Sequence, residues 1–427
     1  ISGQSVFVRR FPLPKTSEER LKKIINYEAR QQIPFPMDKI YMEYQIFERA
    51  ESEDEVDVFL VALKKDILYE FMDMINKTGL KPIAVSISTL ALYNFFAIES
   101  MSEEKFAELY KTKKKKVSLK IKLPDFKKKL KRKKKPKKGE EKAEESEEET
   151  SAEEEEEFEE SFAPEIVKAY VDLGAAITDL SIGTAGDQPK LGFTRSVPVA
   201  GNTVTKALIE EISEIKDWNQ AEKEKKEKAM ALTMDADPET EGKDPQISET
   251  TTETVDKIIA EIRRSLDFYI SQPDGMAVDE VVLTGGLSRL TNIDEYLEEK
   301  LGIPVQKFAE SEGKNIKGVE ATENDLVTYP ISVGLALLGL GLAHITVDFL
   351  PPEKKVALKF KQKKGFVILL AGMVTGTIVL GAMSGDHYMS MYRNQTEKYQ
   401  TEYRNNLPQI KRLENQNKIH DDLKEKF

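Results

Sequence analysis

Apolar residues recur along the first part of the chain with the spacings of strands and helices. Alternation of apolar and polar residues predicts strands over residues 5–11, 41–47, 55–63 and 81–86. Helical spacing predicts two helices, one between Thr16 and Ile33 and one over residues 66–77, before Gly79. Residues 1–110 are therefore predicted to form a small α+β module.

A second pattern, typical of an α/β domain, occupies residues 164–345. Extended apolar runs predict strands over residues 170–173, 177–182 and 280–283. Helical spacing predicts helices after Gly201, over residues 255–270 and 293–301, and a short buried apolar helix over residues 331–343. The whole pattern predicts an α/β fold together with the small α+β module.

Two glycine-containing turns are the candidate chemical features of this second part. Gly174-Ala175-Ala176 joins two predicted strands and carries Asp172 close by, and small residues there let a phosphate and its metal approach the backbone. Gly285-Gly286 follows a buried strand and precedes a helix, an arrangement found in nucleotide sites. Taken alone, each turn is equally compatible with an ordinary hairpin or strand-to-helix connection.

Charge is strongly segregated along the chain, although the net charge is −11. Residues 111–138 contain 17 lysines and arginines against one acid, and residues 140–160 contain 14 glutamates against one lysine. Like-charge blocks with few apolar residues stay disordered, so residues 111–163 are predicted to be a solvated linker. Nucleic-acid binding is disfavoured by the adjoining acidic block, and contact with anionic lipid is the better functional alternative. The charged stretch near residues 217–252 is predicted to be a flexible insertion.

Composition excludes two classes of site. The chain has no cysteine, which excludes disulfides and thiolate metal sites, and its three histidines share no local spacing. The chain begins with Ile1, close to the first predicted strand, and we expect both of its ends to be truncations of a longer protein.

The C-terminal part of the chain has the pattern of a membrane anchor. Residues 366–383 form an uncharged stretch of 18 residues, long enough to be a transmembrane helix. The lysine-rich juxtamembrane segment 346–365 places the N-terminal bulk in the cytoplasm. Gly372 and Gly376, and again Gly381 and Gly385, have the spacing of close helix packing. Residues 386–427 are predicted to be a periplasmic helical stalk or short coiled coil.

Several stretches, in collinear order, resemble the PilM family, the actin-like proteins of type IV pilus assembly. In the first part these are Ser2-Gly3-Gln4-Ser5-Val6 with Arg9-Arg10, Tyr27-Glu28-Ala29, Ile33-Pro34-Phe35-Pro36 and Gly79-Leu80-Lys81-Pro82. In the second part they are VDLGAAITDLSI at 171–182, the turn from 195 to 202, EIRRSLDFY at 261–269, VVLTGGLSRL at 281–290 and ISVGLALLGL at 331–340.

The resemblance implies an actin/Hsp70-like fold of two lobes around a cleft for ATP or ADP with magnesium, with residues 19–87 as the inserted subdomain. It implies that Asp172, Gly174 and Thr178 form the second phosphate loop, with Asp172 near the magnesium shell. Gly285 and Gly286 would pack at the adenosine, and Glu261 and Arg264 would border the base and ribose. The family's first phosphate hairpin is absent from the sequence given, and no water-activating base is identifiable, so nucleotide binding without robust turnover is expected.

The C-terminal part of the chain, with its predicted membrane helix, resembles PilN, the partner of PilM. Residues 347–351 resemble the short motif that precedes the span of PilN, so a fusion of PilM-like and PilN-like parts is expected. The expected role is an inner-membrane platform of a type IV pilus machine, with an assembly ATPase, a platform protein and a PilO-like periplasmic protein as partners. Pairing of the span and coil in a homodimer or heterodimer is also expected. The alternatives are a GspL-like platform of type II secretion, which shares this architecture, and an active actin-like ATPase.

Overall fold

The computed structural model describes residues 1–49, 52, 54–119, 165–308 and 328–424, without the side chains of 112–119, 358–367 and 422–423. The chain divides into two compact units, Ile1–Leu350 and Pro351–Phe427. Most of the predicted linker, residues 120–163, lies outside the described residues. Its first nine residues, 111–119, continue a helix instead of beginning an irregular segment.

The first unit alternates strands and helices in an order close to the predicted one. Its strands are β1 (Val6–Pro14), β2 (Ile40–Glu48), β3 (Glu55–Lys64), β4 (Val167–Leu173), β5 (Thr178–Thr184), β6 (Leu191–Val197), β7 (Glu280–Thr284) and β8 (Val305–Lys307). Its helices are α1 (Glu18–Gln32), α2 (Lys65–Lys77), α3 (Ser88–Glu99), α4 (Glu103–Leu119), α5 (Gly201–Glu211), α6 (Trp218–Lys228), α7 (Pro245–Ile270), α8 (Ile293–Leu301) and α9 (Pro330–Leu340).

The N-terminal elements build an antiparallel sheet in the order β1-β3-β2. The central strand β3 pairs along its whole length with both neighbours, which explains why its residues are nearly all buried. Leu21, Ile25 and Ala29 place the apolar face of α1 against this sheet and form one core with Val58 and Leu60. The α+β module expected from the alternation is therefore present.

The second sheet has five strands in the order β6-β5-β4-β7-β8. Strands β4, β5 and β6 are antiparallel neighbours, whereas β7 runs parallel to both β4 and β8. Helices α5, α7 and α8 supply apolar residues to the core that includes Val171, Leu283 and Ile259. The parallel pairing of β4 with β7 matters most for function, because it places the ends of both strands at one edge of the sheet.

Helix α3 joins the two halves of the first unit. It is apolar on all sides, as expected for a helix that contacts neighbours all round, and Thr89 to Glu99 are buried. The carbonyl of Thr89 accepts a hydrogen bond of 2.8 Å from the Ser181 hydroxyl on β5. Helix α9 packs against α3 at Gly334, where an added Cβ would lie 1.8 Å from the Ala91 carbonyl oxygen. Helix α9 is thus buried on one face only, not throughout as the apolar run at 331–343 predicted.

The structure corrects two sequence-based expectations. Residues 217–252 are not irregular throughout: α6 and the first turns of α7 lie within them, residues 229–244 connect the two helices, and Ala221, Ala231 and Ile247 are buried in the main core. The threonines that made this stretch look polar are buried in α7, where the Thr252 and Thr254 hydroxyls donate to carbonyls four residues earlier. Residues 81–86 are extended but belong to neither sheet.

The second unit contains one helix, α10 (Pro352–Lys424), within the described residues. Its apolar part is long and hydrophobic enough to cross a membrane, with a mean hydropathy of 1.8 over the best window and none of that window buried. The predicted span, the described part of the predicted stalk and residues 352–365 of the predicted juxtamembrane segment are thus parts of a single helix, whereas residues 346–350 belong to the first unit. Residues 425–427 lie outside the described residues.

Candidate functional site

The two glycine turns meet at one edge of the five-stranded sheet. Asp172, near the end of β4, is the register partner of Thr284 at the end of the parallel strand β7. Gly285 follows with a φ of +91°, and a Cβ there would lie 2.6 Å from Asp172 Oδ1 and 2.7 Å from the Leu173 carbonyl oxygen. Only a residue without a side chain fits this backbone contact. The fold therefore joins two segments separated by more than 100 residues in the sequence.

Asp172 is a buried carboxyl group with an unusual electrostatic environment. Burial, and then the nearby carboxyl group of Asp179, raise its pKa from 3.8 to about 7. Asp179 is its partner across the β4–β5 pair, and the Ser196 hydroxyl donates a hydrogen bond to Asp179. No described residue donates a hydrogen bond to Asp172. A buried carboxyl group with this pKa and without a partner is a candidate for a functional role.

A cavity of about 480 Å³ opens beside the two turns. This volume is within the range of small-molecule sites. It is lined by both turns, the start of α5, one side of α6 and the segment after β7: Gly174, Ala175, Gly201, Asn202, Glu222, Lys225, Lys226, Ala229, Gly286, Leu287, Arg289, Leu290, Thr291 and Thr328. An added Cβ on Gly286 would meet nothing within 4 Å, so this glycine leaves the wall of the cavity open.

The start of α5 closes the side of the cavity next to Gly174 and Ala175. The backbone amide of Gly201 donates to the Gly174 carbonyl at 3.0 Å, and that of Asn202 donates to the Ala175 carbonyl at 2.6 Å. Thr178 is buried, and its hydroxyl donates to the Val199 carbonyl at 2.7 Å. Thr178 therefore holds the segment that leads into α5, and in this geometry its hydroxyl is engaged with the backbone.

Lys225 brings a positive charge to this wall. Its Nζ donates to the Gly201 carbonyl at 3.1 Å, to the Thr205 hydroxyl at 2.7 Å and to Glu222 Oε1 at 2.5 Å. Burial lowers the pKa of Lys225, although Glu222 opposes that effect. Burial acts to raise the pKa of Glu222, but hydrogen bonds from Lys225 and Thr205 outweigh it and the pKa falls. The pair is thus a preorganised cation and carboxylate at the mouth of the cavity.

Glu261 and Arg264 lie away from the described residues that line this cavity. Glu261 Oε1 pairs with Arg264 at 2.5 Å, and Glu261 Oε2 pairs with Arg195 on β6 at 3.2 Å. Arg195 faces a different cavity, next to Phe193 and Phe268. The contact with base and ribose implied for this pair stays a prediction, and the structure does not bring the pair to the other predicted site residues.

Sequence reasoning missed Glu222 and Lys225 because their segment was interpreted as a flexible insertion. The available signal was the helical spacing of Ala221 and Lys225, which share one buried face of α6. Arg289 and Thr328 were also missed. They join each other by a hydrogen bond of 2.6 Å, from Arg289 to the Thr328 hydroxyl, across 39 residues of sequence, and no local pattern indicates this contact.

The donor set fits magnesium only as a companion of a phosphate ligand. The described residues contain no cluster of three or more histidine, aspartate or glutamate side chains that could hold a metal. Magnesium keeps several waters and is commonly held by one or two carboxylates together with substrate phosphates. Two carboxyl groups could take that part: Glu222, which lines the cavity, and Asp172, which lies beside the Gly285 turn.

A second feature of the first unit is an extended segment after α9, residues 343–350, here called the strap. Its buried residues alternate with more exposed ones, as in a strand: Ile345, Val347 and Phe349 are each at most 3% exposed. Asn94 on α3 donates to the Ile345 carbonyl at 3.0 Å and accepts from its amide at 2.7 Å.

The strap also binds the extended segment that precedes α3. The Val85 amide donates to Asp348 at 2.8 Å, and the Val85 carbonyl accepts from the Phe349 amide at 2.7 Å. Val85, within residues 81–86, thus bonds to the strap instead of to a sheet.

Two family models match separate parts of the chain. Residues 1–114 match the model described as type IV pilus assembly protein PilM. Residues 169–327 match the model described as cell division protein FtsA. These matches support a PilM-like, actin-like protein, and the mixed α/β fold is that of actin-like proteins.

The chain also has matches among solved structures. A chain of the PilM-PilN type IV pilus biogenesis complex matches with a TM-score of 0.49 and 20% identity, over 79% of this chain and 77% of that chain. The archaeal actin homolog Ta0583 matches with a TM-score of 0.27 and 17% identity, over 40% of this chain and 48% of that chain. Its complex with ADP matches with a TM-score of 0.27 and 14% identity, over 40% of this chain and 49% of that chain.

Proposed function

We propose that this protein is a single-pass inner-membrane component of a bacterial type IV pilus assembly machine. The match of residues 1–114 to the PilM model supports the pilus role. The exposed apolar part of α10 supports the anchor, and the lysines that precede it favour a cytoplasmic first unit. In this proposal the first unit is an adaptor that binds the assembly ATPase and platform protein on the cytoplasmic side, and the stalk meets periplasmic partners.

We further propose that the cavity beside Asp172 binds ADP or ATP. The contact between Gly285 and Asp172 carries this proposal, because it brings two distant glycine turns to one edge of the sheet. Gly174 and Ala175 would face the phosphates, Gly286 the base, and Glu222 with Lys225 the sugar or a neighbouring polar group. Magnesium, when bound with the nucleotide, would neutralise phosphate charge, and Asp172 would be the carboxyl group near it.

Nucleotide in this proposal acts as a conformational ligand. A ligand that contacts both turns and α6 favours the arrangement in which these elements lie together, by its differential affinity for that state. Robust hydrolysis is not part of the proposal.

The strap supports the proposed fusion of PilM-like and PilN-like parts. The resemblance of residues 347–351 to a PilN-type motif coincides with a segment that packs into the first unit as an added peptide would, by backbone hydrogen bonds and alternating buried side chains. The proposal is that the motif of the PilN-like part docks in the same chain, so that the link between the PilM-like and PilN-like parts is covalent.

Titration of the full-length chain in detergent with a fluorescent ADP analogue tests the nucleotide proposal. Lys226 lines the cavity with an exposed side chain, whereas the three hydrogens of Lys225 Nζ are already donated within the protein. Lys226→Met keeps the aliphatic stem of the side chain and removes its charge, and a lost hydrogen bond to a charged group costs about 1.5–3 kcal/mol, or roughly 10- to 100-fold in Kd. The matched control is Lys228→Met, which removes a lysine from the same helix, where it pairs with Glu224 outside the cavity.

Equal affinities of the two variants, or no binding to the unmodified chain at millimolar ADP, would contradict the site. Single-turnover hydrolysis separates the adaptor from an active ATPase, because robust turnover abolished by Asp172→Ala would favour the enzyme. In the source bacterium, deletion of the gene should abolish surface pili and leave type II secretion intact. The reverse result would favour the GspL-like alternative.

A further inference from the structure

Beyond the apolar span, helix α10 carries an uncharged stripe, here called the seam. The seam positions recur every three or four residues: Tyr388, Tyr392, Gln395, Tyr399, Tyr403, Asn406, Ile410, Leu413, Asn417 and His420. At ~100° per residue they lie within a band about 100° wide on the helix surface. None is acidic and none is lysine or arginine, whereas Arg393, Glu397, Arg404 and Lys411 lie on the opposite face.

The apolar members of the seam are exposed along the described helix. Tyr388 is 62% exposed, Tyr399 68% and Leu413 59%. Nearly every described residue of this part of α10 is exposed, so the seam is distinguished by its uncharged, largely aromatic and aliphatic composition, which indicates an interaction surface. Pro408, which removes a backbone donor, lies on the face opposite the seam and leaves its contacts untouched.

The polar members of the seam indicate what covers it. Gln395, Asn406 and Asn417 interrupt the apolar residues at intervals of eleven positions. An amide side chain in a helix–helix seam is satisfied when it faces another amide at the same height, and it is left unpaired against an apolar partner. A parallel second copy in register gives every one of the three amides its own counterpart.

The membrane span imposes the same arrangement. All copies cross the membrane in one direction and at one depth, so two helices that meet are parallel and in register. Thr377, Gly381 and Gly385 continue the seam face into the apolar part with small residues four positions apart, which lets two helices approach closely. Gly372 and Gly376 have the same spacing but lie on the opposite face.

We propose that α10 pairs with α10 of a second copy of this chain through one continuous surface. This surface consists of the small residues in the span and of the seam beyond the span. The pair is parallel, with Gln395, Asn406 and Asn417 each opposite itself. This proposal rests on the proposed membrane placement of α10. It specifies the partner as a second copy and selects the Gly381 pair over the Gly372 pair.

Cysteine crosslinking of the full-length chain in native membranes tests the proposal, because the chain contains no cysteine of its own. Ser384→Cys lies on the seam face and Ser390→Cys on the opposite face, and both serines are exposed and donate to the carbonyl three residues earlier. Asn406→Cys and Asn417→Cys lie on the seam, and Asn415→Cys is the matched control on the opposite face. Mild oxidation should give at least fivefold more disulfide-linked dimer for each seam variant than for its control.

Two differently tagged copies, expressed together, identify the partner. Crosslinks that join both tags support the second copy, and crosslinks only to another protein overturn it. Equal yields of disulfide-linked dimer at all positions, or the highest yields at Ser390→Cys and Asn415→Cys, also overturn the seam.

Labelling of Asn415→Cys with a membrane-impermeant maleimide separates the proposed seam from the proposed membrane topology. Labelling from the periplasmic side without seam crosslinks rejects the seam alone. Labelling only from the cytoplasmic side rejects the proposed topology.

Discussion

The buried carboxyl group of Asp172 gives the sharpest quantitative prediction. Its pKa rises from 3.8 to about 7 in the folded chain, first because of burial and then because of Asp179. Between about pH 4 and pH 7 the folded chain therefore holds a proton that the unfolded chain has released. The free energy of unfolding falls by about 1.36 kcal/mol per pH unit in that window, and the loss is complete above pH 7. The total is on the order of 4 kcal/mol.

Asp172→Asn removes this loss, because the amide has nearly the same shape and does not ionise. The variant should match the unmodified chain near pH 4 and be more stable at pH 8 by up to about 4 kcal/mol, a rise in Tm of roughly 5 °C or more. Trp218, the single tryptophan, begins α6 and reports unfolding of the first unit by its fluorescence. Exposed Asp235→Asn is the control and should leave the pH dependence unchanged.

Addition of ADP and magnesium extends the same experiment. If Asp172 serves the metal, the ligand should stabilise the unmodified chain more than Asp172→Asn, because binding favours the ionised carboxyl group. Parallel pH curves for the two proteins, or a variant that is less stable at pH 8, would refute the electrostatic reasoning. Equal stabilisation by the ligand would refute only the role at the metal.

Two further predictions concern backbone contacts. Gly285→Ala should lower the free energy of unfolding of the first unit by at least ~2 kcal/mol, since a Cβ at this left-handed φ costs about 1–2 kcal/mol and here meets Asp172. In the paired variant Gly286→Ala the added Cβ has open space, so its denaturant unfolding should change little while its ADP affinity falls. Equal effects of the two variants on unfolding would contradict this contrast. Asn94→Ala should lower the free energy of unfolding by about 2–4 kcal/mol, because it leaves the buried amide and carbonyl of Ile345 without partners. Faster proteolysis at residues 343–350 checks this second prediction, and an unchanged cleavage rate would contradict it.

The sequence by itself determined the elements whose cause is local. Alternation predicted β1, β2 and β3, and helical spacing predicted α1, α2 and α8, because burial of one face imposes those periods on the residues themselves. The stretch at 366–383 predicted an apolar helix by its length and its lack of charge, and α10 contains it. The glycine turns were also visible, since their small residues occupy tight positions in the backbone.

The tertiary structure alone decided which distant segments meet. Parallel pairing of β4 with β7 brought Gly285 onto Asp172, and no local pattern specifies that register. Packing also overrode composition in α6, where a charged stretch supplies the buried Ala221 and the Lys225 that lines the cavity. The sequence pattern also gave no sign of the strap's contacts. Its partners Val85 and Asn94 lie some 250 residues away, and hydrogen bonds at that separation leave no periodic pattern in the sequence.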